Sequence, residues 1–203
     1  MGLDYSYKLY FKRAQLHDAL VALTHYAEPH LPPVQVHFPD KILTLPFDSW
    51  GIKDKTIQFD APELGFDLVL NFELDDAIEE YIQNRDKEDS FRAPPDEEEI
   101  RKVGIGYIYL TIYTDLSERY PGRQPPDLVL FDFGTTGTHM SLLFGESVSI
   151  RNTFSELLEK VPGVCGVFDR EMDVGELFWL KGERLSEELS DVYALPDELL
   201  IRL

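Results

Sequence analysis

A pattern of secondary-structure elements that occurs three times is the strongest constraint on the fold of this chain. Hydrophobic spacing predicts a strand, a helix and two strands in each of three segments, residues 5–47, 66–133 and 138–180. Few helices among many hairpin-prone strands favour an α+β fold, with a mostly antiparallel sheet and three main helices on one face. The recurrence is compatible with repeated β-α-β-β units, although the letters themselves do not repeat.

The spacing of apolar residues assigns the individual elements. A run rich in aromatic residues predicts a strand at 5–11, and two-residue alternation predicts strands at 34–38, 43–47 and 66–73. A short strand is also expected at 56–59. Spacing of three and four residues predicts helices at 16–27, 74–82 and 154–161, the last with Ser147 or Ser149 as its N-cap. Strands are also predicted at 128–133, 139–144, 164–168 and 177–180, and only short helical pieces after residue 183.

Residues 104–116 are apolar in both alternating sets, which is typical of a central strand covered on both faces. Tyr107, Tyr109 and Tyr113 are then expected to pack in the core under a helix. The alternative is that these tyrosines line a groove or stack on a ligand.

Length and composition predict one folded domain over residues 1–203, and the length would also fit two small, closely packed domains. The apolar fraction of 43% and the aromatic fraction of 12% are those of a chain with a real core. The polar stretch at 84–99, which contains two prolines, is predicted to be a charged loop or linker. The sequence shows neither a secretory signal nor an apolar run of membrane-spanning length, so we expect a cytoplasmic protein.

The charge balance limits the partners. Acidic residues number 38 and basic residues 19, which gives a formal net charge of −19. This excess argues against binding to nucleic acid or to an anionic membrane, because both need clustered lysine and arginine. One interpretation is that the negative net charge keeps the protein soluble. The other is that the acidic surface attracts a basic protein partner or imitates nucleic acid.

The sequence gives little support for a metal-binding site or a reactive cysteine. The five histidines lack the spacing of a helical zinc pair, and one cysteine excludes a multi-thiolate site. Cys165 lies in a predicted buried strand and is expected to act as a small apolar residue. The acidic run at 96–99 lacks the alternating ligands of a calcium loop. We therefore expect no metal and no cofactor.

One motif points to ligand chemistry. Residues 129–138, Val-Leu-Phe-Asp-Phe-Gly-Thr-Thr-Gly-Thr, resemble the first phosphate loop of the superfamily that includes sugar kinases, heat-shock ATPases and actin. The resemblance implies that the loop binds nucleotide phosphates, between two strands, through Asp132, Gly134, Thr135, Thr136 and Thr138. The chain departs from that family because only 65 residues follow Thr138 and no second phosphate loop is found. The alternative is a β-hairpin whose turn uses glycine and threonine.

Residues 1–7, 103–110 and 140–147 resemble a group of uncharacterised bacterial proteins, which implies a bacterial cytosolic domain and no particular activity. The sequence contains no nucleophile elbow, Walker loop or dinucleotide fingerprint, which leans against an enzyme without excluding one. The favoured function is an acidic, non-enzymatic protein-interaction or regulatory module. The alternative is a nucleotide- or phosphate-binding protein that uses residues 132–138. The sequence determines neither the oligomeric state nor any catalytic residue.

Overall fold

Among the residues that the structure describes, seven strands form one antiparallel sheet and three others form a small second sheet. The computed structural model describes residues 3–30, 32–49, 56–85, 102–122, 124, 126–171 and 175–203. Its strands are β1 (Ser6–Lys12), β2 (Val34–His37), β3 (Ile42–Leu45), β4 (Thr56–Gln58), β5 (Glu63–Glu73), β6 (Lys102–Tyr113), β7 (Leu128–Gly134), β8 (Cys165–Asp169), β9 (Gly175–Leu180) and β10 (Glu183–Leu189). The main sheet has the order β10-β9-β8-β1-β7-β6-β5, and the small sheet has the order β3-β2-β4.

The helices of the described residues are α1 (Leu16–Leu23), α2 (Asp76–Arg85), α3 (Thr138–Glu146), α4 (Val148–Lys160) and α5 (Asp197–Arg202). Within that part of the chain, no helix combines the length and the apolar character that crossing a membrane requires. Together with the antiparallel main sheet, these helices confirm the predicted α+β fold.

The two faces of the main sheet are covered differently. One face packs against α1, α3, α4 and the small sheet in the larger of two hydrophobic clusters. On the other face, a smaller cluster joins β1, β7, β8 and β9 to the connection after β6 and to α5. The sheet is therefore a shared middle layer between two cores.

Three sequence predictions are wrong in detail. Residues 139–144 are not a strand but belong to α3, where buried Met140, Ser141, Leu143 and Phe144 follow helical spacing. The third β-α-β-β unit therefore lacks its first strand. Residues 183–189 form the strand β10 rather than helical pieces, and the glutamates of this edge strand discourage further strand pairing. β6 is not covered on both faces along its whole length, because Tyr107 and Tyr109 are exposed, although Tyr113 packs against the smaller cluster.

The predicted loop at 84–99 lies almost wholly outside the described residues. Asn84 and Arg85 belong to the end of α2, and the description resumes at residue 102. The prediction of a single domain over residues 1–203 stays a prediction.

The carboxylate of Asp75 joins the start of α2 to the start of α4. One oxygen accepts a hydrogen bond from the Ile78 amide at 2.9 Å, and the other accepts from the Ser147 hydroxyl at 2.8 Å and the Ser149 amide at 2.9 Å. Ser147 also caps α4, because its hydroxyl accepts from the Ile150 amide at 3.1 Å. Burial raises the pKa of Asp75, but these hydrogen bonds outweigh it and the net pKa is lowered.

Phe154 of α4 holds the helix against the sheet through aromatic contacts. Its ring stacks on Tyr7 of β1 at 4.5 Å between centroids and lies 4.8 Å from Phe133 of β7. It also reaches Phe72 of β5 at 6.3 Å and Phe144 of α3 at 6.1 Å. One buried side chain of α4 therefore contacts three strands and the preceding helix.

We expect Phe154→Ala to lower the free energy of unfolding by about 4 kcal/mol, because it removes a buried ring and leaves a cavity among other rings. Urea denaturation followed by circular dichroism measures the change. Val148→Ala on the same helix is the control, since Val148 is 66% exposed and its truncation should cost less than about 0.5 kcal/mol. Equal losses for the two variants would contradict the central role of Phe154.

A second polar contact joins α4 to β9, to β10 and to the residue that follows β8. The Glu176 carboxylate accepts two hydrogen bonds from Arg151 at 2.7 and 2.8 Å, one from Arg170 at 2.7 Å and one from Ser186 at 2.9 Å. The hydrogen bonds from Arg151, which outweigh the effect of burial, lower the pKa of Glu176 from 4.5 to about 2. The pair is bidentate, the strongest arrangement that arginine offers a carboxylate.

This lowered pKa predicts a stability contribution that is present above pH 4.5 and is lost as the pH falls toward about 2. We expect the wild-type free energy of unfolding to fall more steeply between pH 6 and pH 3 than that of Glu176→Gln, which carries no titrating group at this position. Urea midpoints at the two pH values measure the slopes. Glu118→Gln at an exposed position should keep the wild-type slope, and parallel slopes for Glu176→Gln would contradict the assignment.

Candidate binding groove

The predicted phosphate loop connects the end of β7 to the start of α3. The resemblance implied a second strand after the loop, and the alternative was also a hairpin, but a helix begins at Thr138. Neither Gly134 nor Gly137 adopts the left-handed backbone that requires glycine, and a Cβ atom at Gly137 would meet open space. The backbone here therefore does not depend on its glycines.

The hydroxyl groups of the loop contact the first described residues of the chain. Thr135 Oγ1 donates to the carbonyl oxygen of Tyr5 at 3.2 Å and lies 2.7 Å from Ser141 Oγ. Thr138 Oγ1 accepts from the amide of Leu3 at 3.2 Å, and Thr136 Oγ1 lies 3.5 Å from the sulfur of Met140. These contacts fix the segment that leads into β1.

Asp132 lies on β7 directly opposite Lys8 of β1. The ammonium nitrogen of Lys8, a residue only 6% exposed, is 3.6 Å from Asp132 Oδ2. Lys8 also forms an ion pair with Asp169 and donates to Ser6 Oγ at 3.0 Å. Asp132 therefore helps to compensate a buried cation. Whether Asp132, Gly134, Thr135, Thr136 and Thr138 also hold a ligand stays a prediction.

A groove of about 1010 Å³ lies at the β5 end of the main sheet, away from that loop. Its walls are two connecting segments, residues 28–30 and 46–48, and its floor comes from β5 and β6. The volume is at the upper end of the range for ligand sites, about 300–1,000 Å³. The groove is the concave surface on which a binding function is best placed.

The two wall segments are attached to the outer edge of β5 by backbone hydrogen bonds. The Glu28 amide donates to the Val69 carbonyl at 2.8 Å, and the Asn71 amide donates to the Tyr26 carbonyl at 2.7 Å. Further along, the Asp67 amide donates to the Asp48 carbonyl at 3.0 Å. These bonds place the carboxylates of Glu28 and Asp48 beside the sheet.

A β-bulge in β6 shapes the floor of the groove. Leu68 pairs with Ile108 and Leu70 pairs with Ile105, so that Gly106 and Tyr107 together oppose Val69. The extra residue shifts the alternation, which explains why Ile105 and Ile108 are both buried. Tyr107 takes a φ of 61°, a left-handed value that is uncommon for residues other than glycine.

Apolar side chains of β5 and β6 face solvent beside the bulge. Tyr107 is 66% exposed, Tyr109 43% and Val69 36%. The expectation that Tyr107 and Tyr109 pack in the core is therefore wrong, and the alternative that they line a groove is correct. A cluster of exposed tyrosines beside a valine is typical of a surface that makes contact with a partner.

The charged side chains that line the groove are mainly acidic. Glu28, Asp48 and Asp67 contribute carboxylates, and Lys102 contributes an ammonium group. His30 Nε2 lies 3.7 Å from Asp48 Oδ2, which keeps one imidazole at the wall. Carboxylates next to tyrosine rings suit a cation, because both the charge and the ring faces attract it. The same carboxylates disfavour phosphate.

No group of three or more potential metal ligands comes together among the residues that the structure describes. No protein-family model, curated protein or solved structure matches the chain. The two resemblances drawn from sequence therefore stay predictions.

We expect Tyr107→Gly to raise the free energy of unfolding by about 1 kcal/mol, because glycine relieves a left-handed backbone that costs other residues about 1–2 kcal/mol. The exposed ring contributes little packing in return. Urea denaturation measures the gain. Tyr107→Ala removes the same ring but keeps a Cβ atom, and it should not stabilise; a stabilisation equal to that of Tyr107→Gly would show that the backbone is unstrained.

Proposed function

We propose that this protein is a non-enzymatic interaction module that binds a basic segment of a partner protein in the groove at β5. The observation that supports this best is the lining of one groove by Glu28, Asp48 and Asp67 together with two exposed tyrosines. Tyrosine is enriched among the residues that contribute most to interface affinity. Carboxylates make such a surface negatively charged, which favours a positively charged partner.

The overall charge supports the same proposal. A formal net charge of −19 attracts positively charged partners over distances of about a Debye length, roughly 8 Å at physiological ionic strength. Long-range attraction of this kind speeds encounter but does not select one partner. Selection requires a shaped surface, and the groove provides one.

The edge of β5 disfavours a different mode of recognition. Residues 26–28 and 48 already occupy hydrogen-bonding positions along the outer edge of β5. A partner that adds a strand to the sheet needs such an edge unoccupied. Recognition at this groove therefore relies on side chains.

We expect the doubly substituted variant Asp48→Asn, Asp67→Asn to weaken binding of a fluorescein-labelled peptide of mixed arginine, lysine and glycine by about tenfold. The two carboxylates that this variant lacks lie in the groove of the wild-type protein. Each lost charge contact costs of order 0.5–1 kcal/mol of binding free energy. Fluorescence anisotropy at 50, 150 and 300 mM salt measures the dissociation constants, which should rise with salt.

The matched control is Glu118→Gln with Asp127→Asn, which removes the same two charges from exposed positions outside the groove lining. We expect this control to change the dissociation constant less than twofold. Equal weakening by the two double variants would contradict a groove-specific site, because net charge alone would then account for the binding.

A further inference from the structure

We infer that the groove selects arginine over lysine, through a row of side chains formed by Asp67, Tyr109 and Tyr107. This inference rests on the proposed function and adds the chemical identity of the bound side chain. It depends on the register between β5 and β6 and on the bulge between them.

The register places a carboxylate beside an aromatic ring. Asp67 of β5 is the direct cross-strand partner of Tyr109 of β6, so both side chains leave the same face of the sheet. Directly opposed residues have Cβ atoms about 4.5–5.5 Å apart. A planar cation lying on the tyrosine ring at this position is within reach of the aspartate.

The next positions along the row extend this surface. Val69 faces Gly106 and Tyr107, and Gly106 presents no side chain that would cover the ring beside it. One residue pair further, the carboxylate of Glu28 lies over Gly104, in space that a larger residue at 104 would fill. The row therefore has carboxylates at both ends and tyrosines between them.

The chemistry of this row suits a guanidinium group better than an ammonium group. Guanidinium is planar and weakly hydrated, so it stacks on a ring while its N–H groups point in the plane toward a carboxylate. An ammonium ion is compact and strongly hydrated, and loses more solvation at an aromatic surface.

The same face of β6 already binds an arginine between tyrosines elsewhere in this chain. The Arg119 guanidinium lies 4.6 Å from the ring centroid of Tyr113 and 4.7 Å from that of Tyr193. Tyr113 follows Tyr109 by four residues on β6, so the two rings leave the strand on the same side. The contact of Arg119 with Tyr113 is thus an intramolecular example of a guanidinium group bound at this face of β6.

The test uses two peptides that differ only in having every arginine replaced by lysine, titrated into the full chain by isothermal calorimetry at 150 mM salt. We expect the arginine peptide to bind about tenfold more tightly. Tyr107→Ala with Tyr109→Ala should reduce that preference to about twofold, mainly by weakening the arginine peptide. Tyr193→Ala is the matched control outside the groove lining and should keep the tenfold preference.

The outcomes separate this inference from the proposed function. Equal binding of both peptides, or a preference that survives loss of both tyrosines, overturns arginine selection while the proposed function stands. Failure of both peptides to bind overturns the proposed function and this inference with it. Tyr107→Phe with Tyr109→Phe should keep most of the preference, because a phenyl face still attracts the cation; loss of preference in this variant would assign the selectivity to the hydroxyls.

Discussion

The packing of α4 against the main sheet is the contact on which the rest of the architecture depends. Phe154 meets the rings of Tyr7, Phe133 and Phe72, which belong to three different strands. Each aromatic pair contributes about 0.5–1.5 kcal/mol beyond the area it buries. Because these strands come from distant parts of the chain, the helix fixes their relative positions. The hydrogen bonds of Asp75 and Glu176 then attach the first turn of α4 to the start of α2 and to β9.

A strongly acidic chain can build this core because its buried carboxylates are compensated. Glu176 is held by two arginines, Asp75 by helix amides, and Asp169 and Asp132 by Lys8. Most of the other acidic residues that the structure describes are exposed, where mutual repulsion is screened. The carboxylates of Glu28, Asp48 and Asp67 lie together at one concave surface beside exposed rings.

Much of the fold was predictable because one physical signal, the period of apolar residues, assigns strands and helices locally. It failed at residues 139–144, where a short apolar run fits either period, and the preceding motif favoured a strand. It also failed in β6, because a bulge breaks the alternation. Gly104 and Gly106 were the available signal, since glycine inside a strand often marks a bulge or a close approach.

The groove could not be predicted from sequence, because its parts meet only in the folded chain. Glu28, Asp48, Asp67 and Tyr107 come from four separate segments, and the order of strands brings them together. A local motif such as residues 132–138 is visible in sequence for the opposite reason: its members are consecutive. In a fold with so many long-range strand pairs, a recognisable local motif is therefore a poor guide to the position of a site.

The groove combines three features that the fold does not need. Tyr107 sits in a strained backbone conformation, its ring is largely exposed, and carboxylates are gathered next to it. A chain selected for stability alone would place glycine at that φ and a polar side chain on that face. Strain and exposure at the same residue are instead typical of functional sites, where the cost is tolerated because the side chain makes contact with something else. Strain and exposure at Tyr107 therefore favour β6, rather than the loop after β7, as the position of a binding site.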